Sequence, residues 1–135
     1  MARLAGGLRS LGVKGGDRVA ILALNSDRYL EFLFAVPWAG AVFVPVNTRL
    51  APPEIAYWLN DSGSEFLFVD DTFVPMLEAL DGKMASVRQV VYLGDDAAPN
   101  GLHDYESLIE GQPPIPDAGR RGDDLAGVFY TGGTT

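Results

Sequence analysis

Cysteine is absent from the 135-residue sequence, and histidine occurs once, as His103. Without thiols the chain can form neither disulfides nor a thiolate metal site, and a thiol nucleophile is excluded. His103 lies beside Asp104 in a polar stretch. We therefore predict a solvent-exposed side chain rather than a metal ligand or an acid–base catalyst.

Basic residues are scarce as well. Ten Lys and Arg against eighteen Asp and Glu give a formal charge of -8. Such a chain repels the phosphates of nucleic acids and anionic lipid head groups, so we exclude nucleic acid as a partner. Three acidic pairs flank apolar runs, and we interpret them as charged strand ends facing water rather than as metal ligands. They are Asp70-Asp71, Asp95-Asp96 and Asp123-Asp124.

Apolar runs of membrane-spanning length are also missing, and residues 1–7 lack the basic stretch and apolar core of a signal peptide. We therefore predict a cytoplasmic protein without a transmembrane segment. The hydrophobic content of 47% is that of a globular protein with a real core, which excludes global disorder.

Strand-like and helix-like patterns alternate along most of the chain. Residues 19–24 form an unbroken apolar run, which is typical of a strand buried on both faces, and Asn25 or Ser26 can cap the helix that follows. Further strands are predicted at 42–46, 66–69 and 89–93, and further helices at 52–62 and 72–80. This order predicts an α/β fold with a mainly parallel sheet, whose ligands bind beyond the carboxyl ends of the strands.

Residues 94–122 are polar and proline-rich, and they predict a surface excursion with one short helix near 105–109. A last apolar run at 125–130, interpreted as a buried strand, leads into Thr131-Gly132-Gly133-Thr134-Thr135. Glycines let a backbone approach a polyphosphate, and threonine hydroxyls donate to phosphate oxygens or help to hold Mg²⁺. Gly133 stands where the P-loop motif needs lysine. On composition alone, a flexible turn or a disordered end is the more common explanation of residues 131–135.

The stretch from Tyr130 to Thr135 resembles the start of the phosphate-binding motif of adenylate-forming enzymes, the acyl-CoA synthetase and luciferase superfamily. The usual motif is Tyr-Thr-Ser-Gly-Thr-Thr-Gly-x-Pro-Lys-Gly, so Gly132 replaces a serine and removes one hydroxyl donor while leaving the amides. Three upstream stretches agree in order and spacing, at 3–13, 16–21 and 40–50. Residues 1–135 are thus identified as part of the large N-terminal AMP-binding domain, reaching into the phosphate-binding loop and without the C-terminal domain.

The resemblance implies a two-step reaction. A carboxylate attacks the α-phosphorus of ATP with Mg²⁺, giving acyl-adenylate and pyrophosphate, and coenzyme A then displaces AMP. Thr131, Gly132, Gly133, Thr134 and Thr135 would cradle the β- and γ-phosphates, and no protein nucleophile is needed.

The expected partners are ATP, a carboxylic acid and coenzyme A, and a homodimer is conceivable for the full enzyme. Residues 46–50 and the Thr134-Thr135 pair are similar to acyl-CoA synthetases, so a fatty or related acid is expected as substrate. The family's lysine-bearing end of the loop and its C-terminal domain follow this point, so the 135 residues alone are expected to be inactive and to fold incompletely.

Two alternatives stay open at this point. One is a different adenylate-forming enzyme, such as a peptide-synthetase adenylation domain, although these more often carry Ser-Thr in place of Thr134-Thr135. The other is a non-catalytic α/β binding or interaction module that is complete as it stands, in which residues 131–135 are a tail.

Overall fold

The protein alternates helices and strands, as a computed structural model of residues 1–131 shows. In chain order the elements are α1 Ala2–Ser10, β1 Arg18–Leu22, α2 Asp27–Trp38, β2 Val42–Pro45, α3 Pro52–Ser62, β3 Ser64–Val69, α4 Met76–Leu80, β4 Gln89–Tyr92, β5 His103–Asp104 and α5 Tyr105–Glu110. In this part of the chain, none of the helices is long and apolar enough to span a lipid bilayer.

The five strands form one sheet in the order β2-β1-β3-β4-β5, and every neighbouring pair is parallel. The predicted α/β fold with a parallel sheet is therefore confirmed. The chain adds β2 on one side of β1 and β3 to β5 on the other, so the winding reverses beside β1. All carboxyl ends consequently meet at one edge of the sheet, where open α/β folds bind their ligands.

Both faces of the sheet are covered, which explains why β1 is apolar without alternation. Val19 and Ile21 of β1 pack with α1, α2 and α5, whereas Ala20 and Leu22 pack with α3 and α4. All four side chains are fully buried. The sheet therefore separates two apolar cores.

Local signals set the helix boundaries. The Ser26 hydroxyl accepts a hydrogen bond from the Tyr29 amide at 3.1 Å and begins α2, as predicted. Gly63 ends α3 in the left-handed conformation at φ 67°. Pro75 occupies the N-cap of α4, so that helix begins at Met76 rather than near residue 72.

Glycine allows α1 to lie directly on α5. Gly7 is buried, and a Cβ atom added there would come within 2.7 Å of the Leu108 carbonyl oxygen. No real Cβ tolerates that distance, so only glycine permits this helix spacing.

The prediction of a buried strand at 125–130 is wrong. Only Gly127 forms a bridge, to Phe43 of the edge strand β2, and Leu125 and Phe129 remain 44% and 67% exposed. Apolar composition suggested burial, but among residues 1–131 no element covers the outer side of this stretch. The surface excursion also differs from its prediction, because residues 103–104 pair with β4 as β5.

Candidate functional site

The backbone of residues 125–131, here called the entry segment, runs alongside β2. The Phe43 amide donates to the Ala126 carbonyl at 3.0 Å, and the Val128 amide donates to the Phe43 carbonyl at 2.9 Å. Because this bridge is parallel, the segment points the same way as β2. It therefore brings Thr131 to the edge of the sheet where the carboxyl ends of the strands lie.

Gly127 is required for this close approach. A Cβ atom at Gly127 would overlap the ring of Phe43 far inside van der Waals distance. The Phe43 ring itself packs edge-to-face against Phe129, with centroids 5.7 Å apart. A glycine and an aromatic side chain thus set the distance between the entry segment and β2.

Tyr130 is held by helix α3. Its ring stacks on Trp58 with centroids 4.7 Å apart and an interplanar angle of 22°. Its hydroxyl donates to the Asp61 carboxylate at 2.6 Å. Burial of the hydroxyl and the hydrogen bond to Asp61 raise the pKa of Tyr130 to about 12. The phenol is therefore a neutral hydrogen-bond donor at physiological pH.

Thr131 is exposed and lines a cleft of about 380 Å³ next to the N-terminal half of α3. The other lining residues are Leu50, Pro53, Glu54, Tyr57 and Trp58. Of the five residues predicted to cradle phosphates, Thr131 is the one that lies within the described chain. Gly132, Gly133, Thr134 and Thr135 lie outside the described residues, so the cradle as a whole stays a prediction.

A second cleft, of about 260 Å³, lies where the winding reverses, beyond β1, β3 and β4. Its carboxylates are already engaged: Asp70 accepts from the Leu24 amide at 2.8 Å, and Asp71 accepts from the Tyr92 hydroxyl. The water-facing interpretation of this acidic pair is therefore incomplete, because both side chains also fasten loops. The acidic lining suits a polyphosphate poorly.

Arg28 supplies the positive charge of that second cleft, and its guanidinium is already bound by other groups of the protein. Its guanidinium donates to the Gly94 carbonyl at 2.8 Å and pairs with Asp95 at 3.2 Å and with Glu106 at 3.1 Å. It also lies over the Tyr105 ring at 5.3 Å. The side chain therefore ties α2 to the loop after β4 and to α5.

No metal centre is built from the residues that the structure describes. His103 is exposed, as predicted, and its Nε2 lies 2.7 Å from the Gln89 side-chain oxygen. Across residues 1–131 there is no group of three or more His, Asp or Glu side chains arranged to hold a metal ion.

Neither Asp61 nor Trp58 was predicted from the sequence as a site residue. Asp61 and Tyr130 are 69 residues apart. Neither the spacing of apolar residues in α3 nor the composition of the entry segment signals their contact, because it depends on where the chain returns to the sheet.

Similarity to known proteins agrees with this architecture. A long-chain-fatty-acid–CoA ligase of Thermus thermophilus is 44% identical over 134 residues, which are 98% of this chain and 24% of that protein. A feruloyl-CoA synthase of an Amycolatopsis species is 40% identical over 136 residues, covering all of this chain and 24% of that protein.

Among solved structures, an anthranilate CoA ligase in complex with anthranoyl-AMP superposes with a TM-score of 0.91 at 30% identity, over 98% of this chain and 26% of that one. The chain thus spans about a quarter of the length of these relatives. The family model for AMP-binding enzymes matches residues 1–135. The resemblance noted in the sequence is confirmed, and the chain belongs to the AMP-binding enzyme family.

Proposed function

We propose that the protein to which these residues belong is an AMP-forming acid–thiol ligase, and that residues 131–135 bind the β- and γ-phosphates of its ATP. The observation that carries the proposal is the parallel course of the entry segment beside β2. This course leads Thr131, which directly precedes Gly132, Gly133, Thr134 and Thr135, toward the carboxyl ends of the strands. Open α/β folds bind their ligands at that edge, which supports the proposal.

In the proposed first step, a carboxylate oxygen attacks the α-phosphorus of ATP while the bond to pyrophosphate breaks. The backbone amides and the hydroxyls of Thr131, Thr134 and Thr135 would donate to the departing phosphates, which stabilises the charge that develops on them. Gly132 and Gly133 would let the backbone approach closely. In the second step, a thiol attacks the acyl carbon and AMP departs.

Relatives support coenzyme A as the thiol and leave the acid open. Their names include ligases or synthases for long-chain fatty acids, ferulate and 4-hydroxybutyrate. A fatty acid is our first candidate, because the long-chain-fatty-acid–CoA ligase is 44% identical.

Mg²⁺ belongs to the proposal as the counter-ion of ATP, neutralising phosphate charge when bound. The threonine hydroxyls of residues 131–135 are oxygen donors of the kind that this ion accepts. We also propose that the protein acts in the cytoplasm, where ATP and coenzyme A are available. A homodimer of the full protein stays a prediction from the family resemblance.

The test uses the full-length protein from the source genome with ATP, Mg²⁺ and a panel of carboxylic acids. We expect exchange of labelled pyrophosphate into ATP that depends on an acid, and release of AMP only when coenzyme A is added. Exchange without any acid, or formation of ADP in place of AMP, would overturn the proposal.

A further inference from the structure

We propose that helix α3 positions the phosphate-binding loop, with Trp58 and Asp61 acting as positioning residues through Tyr130. This inference rests on the proposed function and adds specific residues to it. Tyr130 is the residue directly before Thr131, so any restraint on Tyr130 is a restraint on the first residue of the loop.

The two α3 residues form a single clamp. Trp58 and Asp61 are three positions apart and thus share one face of the helix. Trp58 holds the Tyr130 ring by stacking, and Asp61 holds its hydroxyl at 2.6 Å. A flat contact and a directional hydrogen bond together fix both the plane of the ring and its rotation.

The entry segment needs such a clamp because its backbone is weakly held. Its pairing with β2 is confined to the bridge between Gly127 and Phe43, and in residues 1–131 no strand lies on its other side. Tyr130 is followed directly by Thr131 in the sequence, and ordering the backbone of any residue costs conformational entropy. Fixing Tyr130 in advance therefore reduces the conformational entropy that is lost when the residues after it bind ATP.

The geometry assigns positioning rather than chemistry to Tyr130. Its hydroxyl points at α3 and donates to Asp61, and its pKa is raised away from neutrality. The hydroxyl therefore serves to hold Tyr130 against α3.

The test compares D61A, Y130F and the double variant D61A/Y130F in the full-length protein, by acid-dependent pyrophosphate exchange. We expect each single change to raise the KM for ATP about three- to tenfold, with the KM for the acid unchanged. The double variant should be no worse than the worse single variant, because both changes remove the same hydrogen bond. W58A should raise the KM for ATP, and W58F, which keeps a stacking ring, should restore it.

E78A is the matched control. Glu78 is exposed on α4, beside α3, and its loss removes one acidic charge without touching the entry segment. We expect its KM for ATP to equal that of the wild type. Y130F and W58F are conservative changes, so they keep the test valid if D61A or W58A does not fold.

The possible outcomes separate the inference from the function on which it rests. The clamp alone is overturned if the wild type is active and D61A and Y130F have the wild-type KM for ATP. It is also overturned if the losses of the two single variants add up in the double variant. Equal increases in the KM for ATP and in the KM for the acid would also overturn the clamp, since they indicate a general structural role. A wild type without acid-dependent exchange overturns the proposed function, and the inference falls with it.

Discussion

Gly127 packs against the Phe43 ring with no room for a side chain between them. Both residues also share the backbone bridge that joins the entry segment to β2. A steric limit at one residue thus sets the path by which the chain reaches the predicted phosphate loop.

We expect Gly127→Ala to push the entry segment away from β2. Overpacking of this kind costs about 1–3 kcal/mol. The local cost should appear as faster hydrogen exchange of the Phe43 and Val128 amides and as a higher KM for ATP. The double variant G127A/F43L, which removes the ring, should recover much of both losses. A wild-type exchange rate in G127A would contradict the steric account.

The Tyr130 hydroxyl should lose its proton at a higher pH than the hydroxyl of an ordinary tyrosine. Burial and the Asp61 hydrogen bond raise its pKa from 10.0 to about 12. The folded state therefore favours the neutral phenol, and this stabilisation is complete below about pH 10 and is lost as the pH rises through 12. We expect D61N to move the titration of Tyr130 back toward 10.

The measurement is ultraviolet absorbance of tyrosinate during an alkaline titration. The titration uses the full-length protein, in which other tyrosines also ionise, four of them in this part of the chain. The Tyr130 signal is therefore the difference between the wild type and Y130F, taken again in the D61N background. A Tyr130 midpoint that is the same with Asp61 and with asparagine would show that the carboxylate does not hold the phenol.

We expect the loss of the Arg28 side chain to lower the free energy of unfolding more than the loss of the exposed Arg88 side chain. Its side chain is 21% exposed and donates to backbone carbonyls as well as to Glu106. Arg28→Ala leaves the part-buried carbonyls of Leu93 and Gly94 without this donor, for which we expect a loss of about 2–3 kcal/mol. Denaturant-dependent hydrogen exchange of the β4 amides measures this loss.

Arg88→Ala is the control for Arg28. Arg88 pairs with Glu65 at 2.6 Å, but both side chains are well exposed, at 55% and 39%. Exposed pairs contribute about 1 kcal/mol or less. An equal loss in the two variants would contradict the assignment of Arg28 as the tie between α2 and α5.

Gly7→Ala tests the contact between α1 and α5, because helix propensity and packing predict opposite signs for the change in the free energy of unfolding. Alanine favours an isolated helix by about 1 kcal/mol over glycine. At Gly7, however, the added methyl would strike Leu108, for which we expect a net destabilisation of about 1–3 kcal/mol. Arg3→Ala on the same helix should change the free energy of unfolding little, so a more stable G7A would contradict the packing account.

The sheet could be predicted from the sequence because burial on both faces leaves a strong local pattern. Residues 19–22 are apolar at every position, and the caps at Ser26 and Gly63 are local chemistry. The entry segment could not be predicted in this way. Its apolar residues predict a buried strand. Their exposure, however, depends on which elements pack against the segment, and those elements are distant in the sequence.

The same distinction between local patterns and long-range contacts applies to the candidate site. The glycine and threonine pattern of residues 131–135 is local, so a phosphate loop could be predicted from it. The hydrogen bond between Asp61 and Tyr130 joins residues 69 positions apart. Nothing in either segment encodes the other, and only the folded chain brings them together.

In the proposed reaction, a carboxylate attacks the α-phosphorus of ATP. The most direct measurement supplies the full-length protein with a carboxylic acid labelled with heavy oxygen in both carboxylate positions, together with ATP, Mg²⁺ and coenzyme A, and analyses the products by mass spectrometry. We predict one labelled oxygen in AMP, because the bridging oxygen of the acyl-adenylate leaves with AMP when the thiol attacks. Unlabelled AMP, or label in inorganic phosphate, would contradict the account.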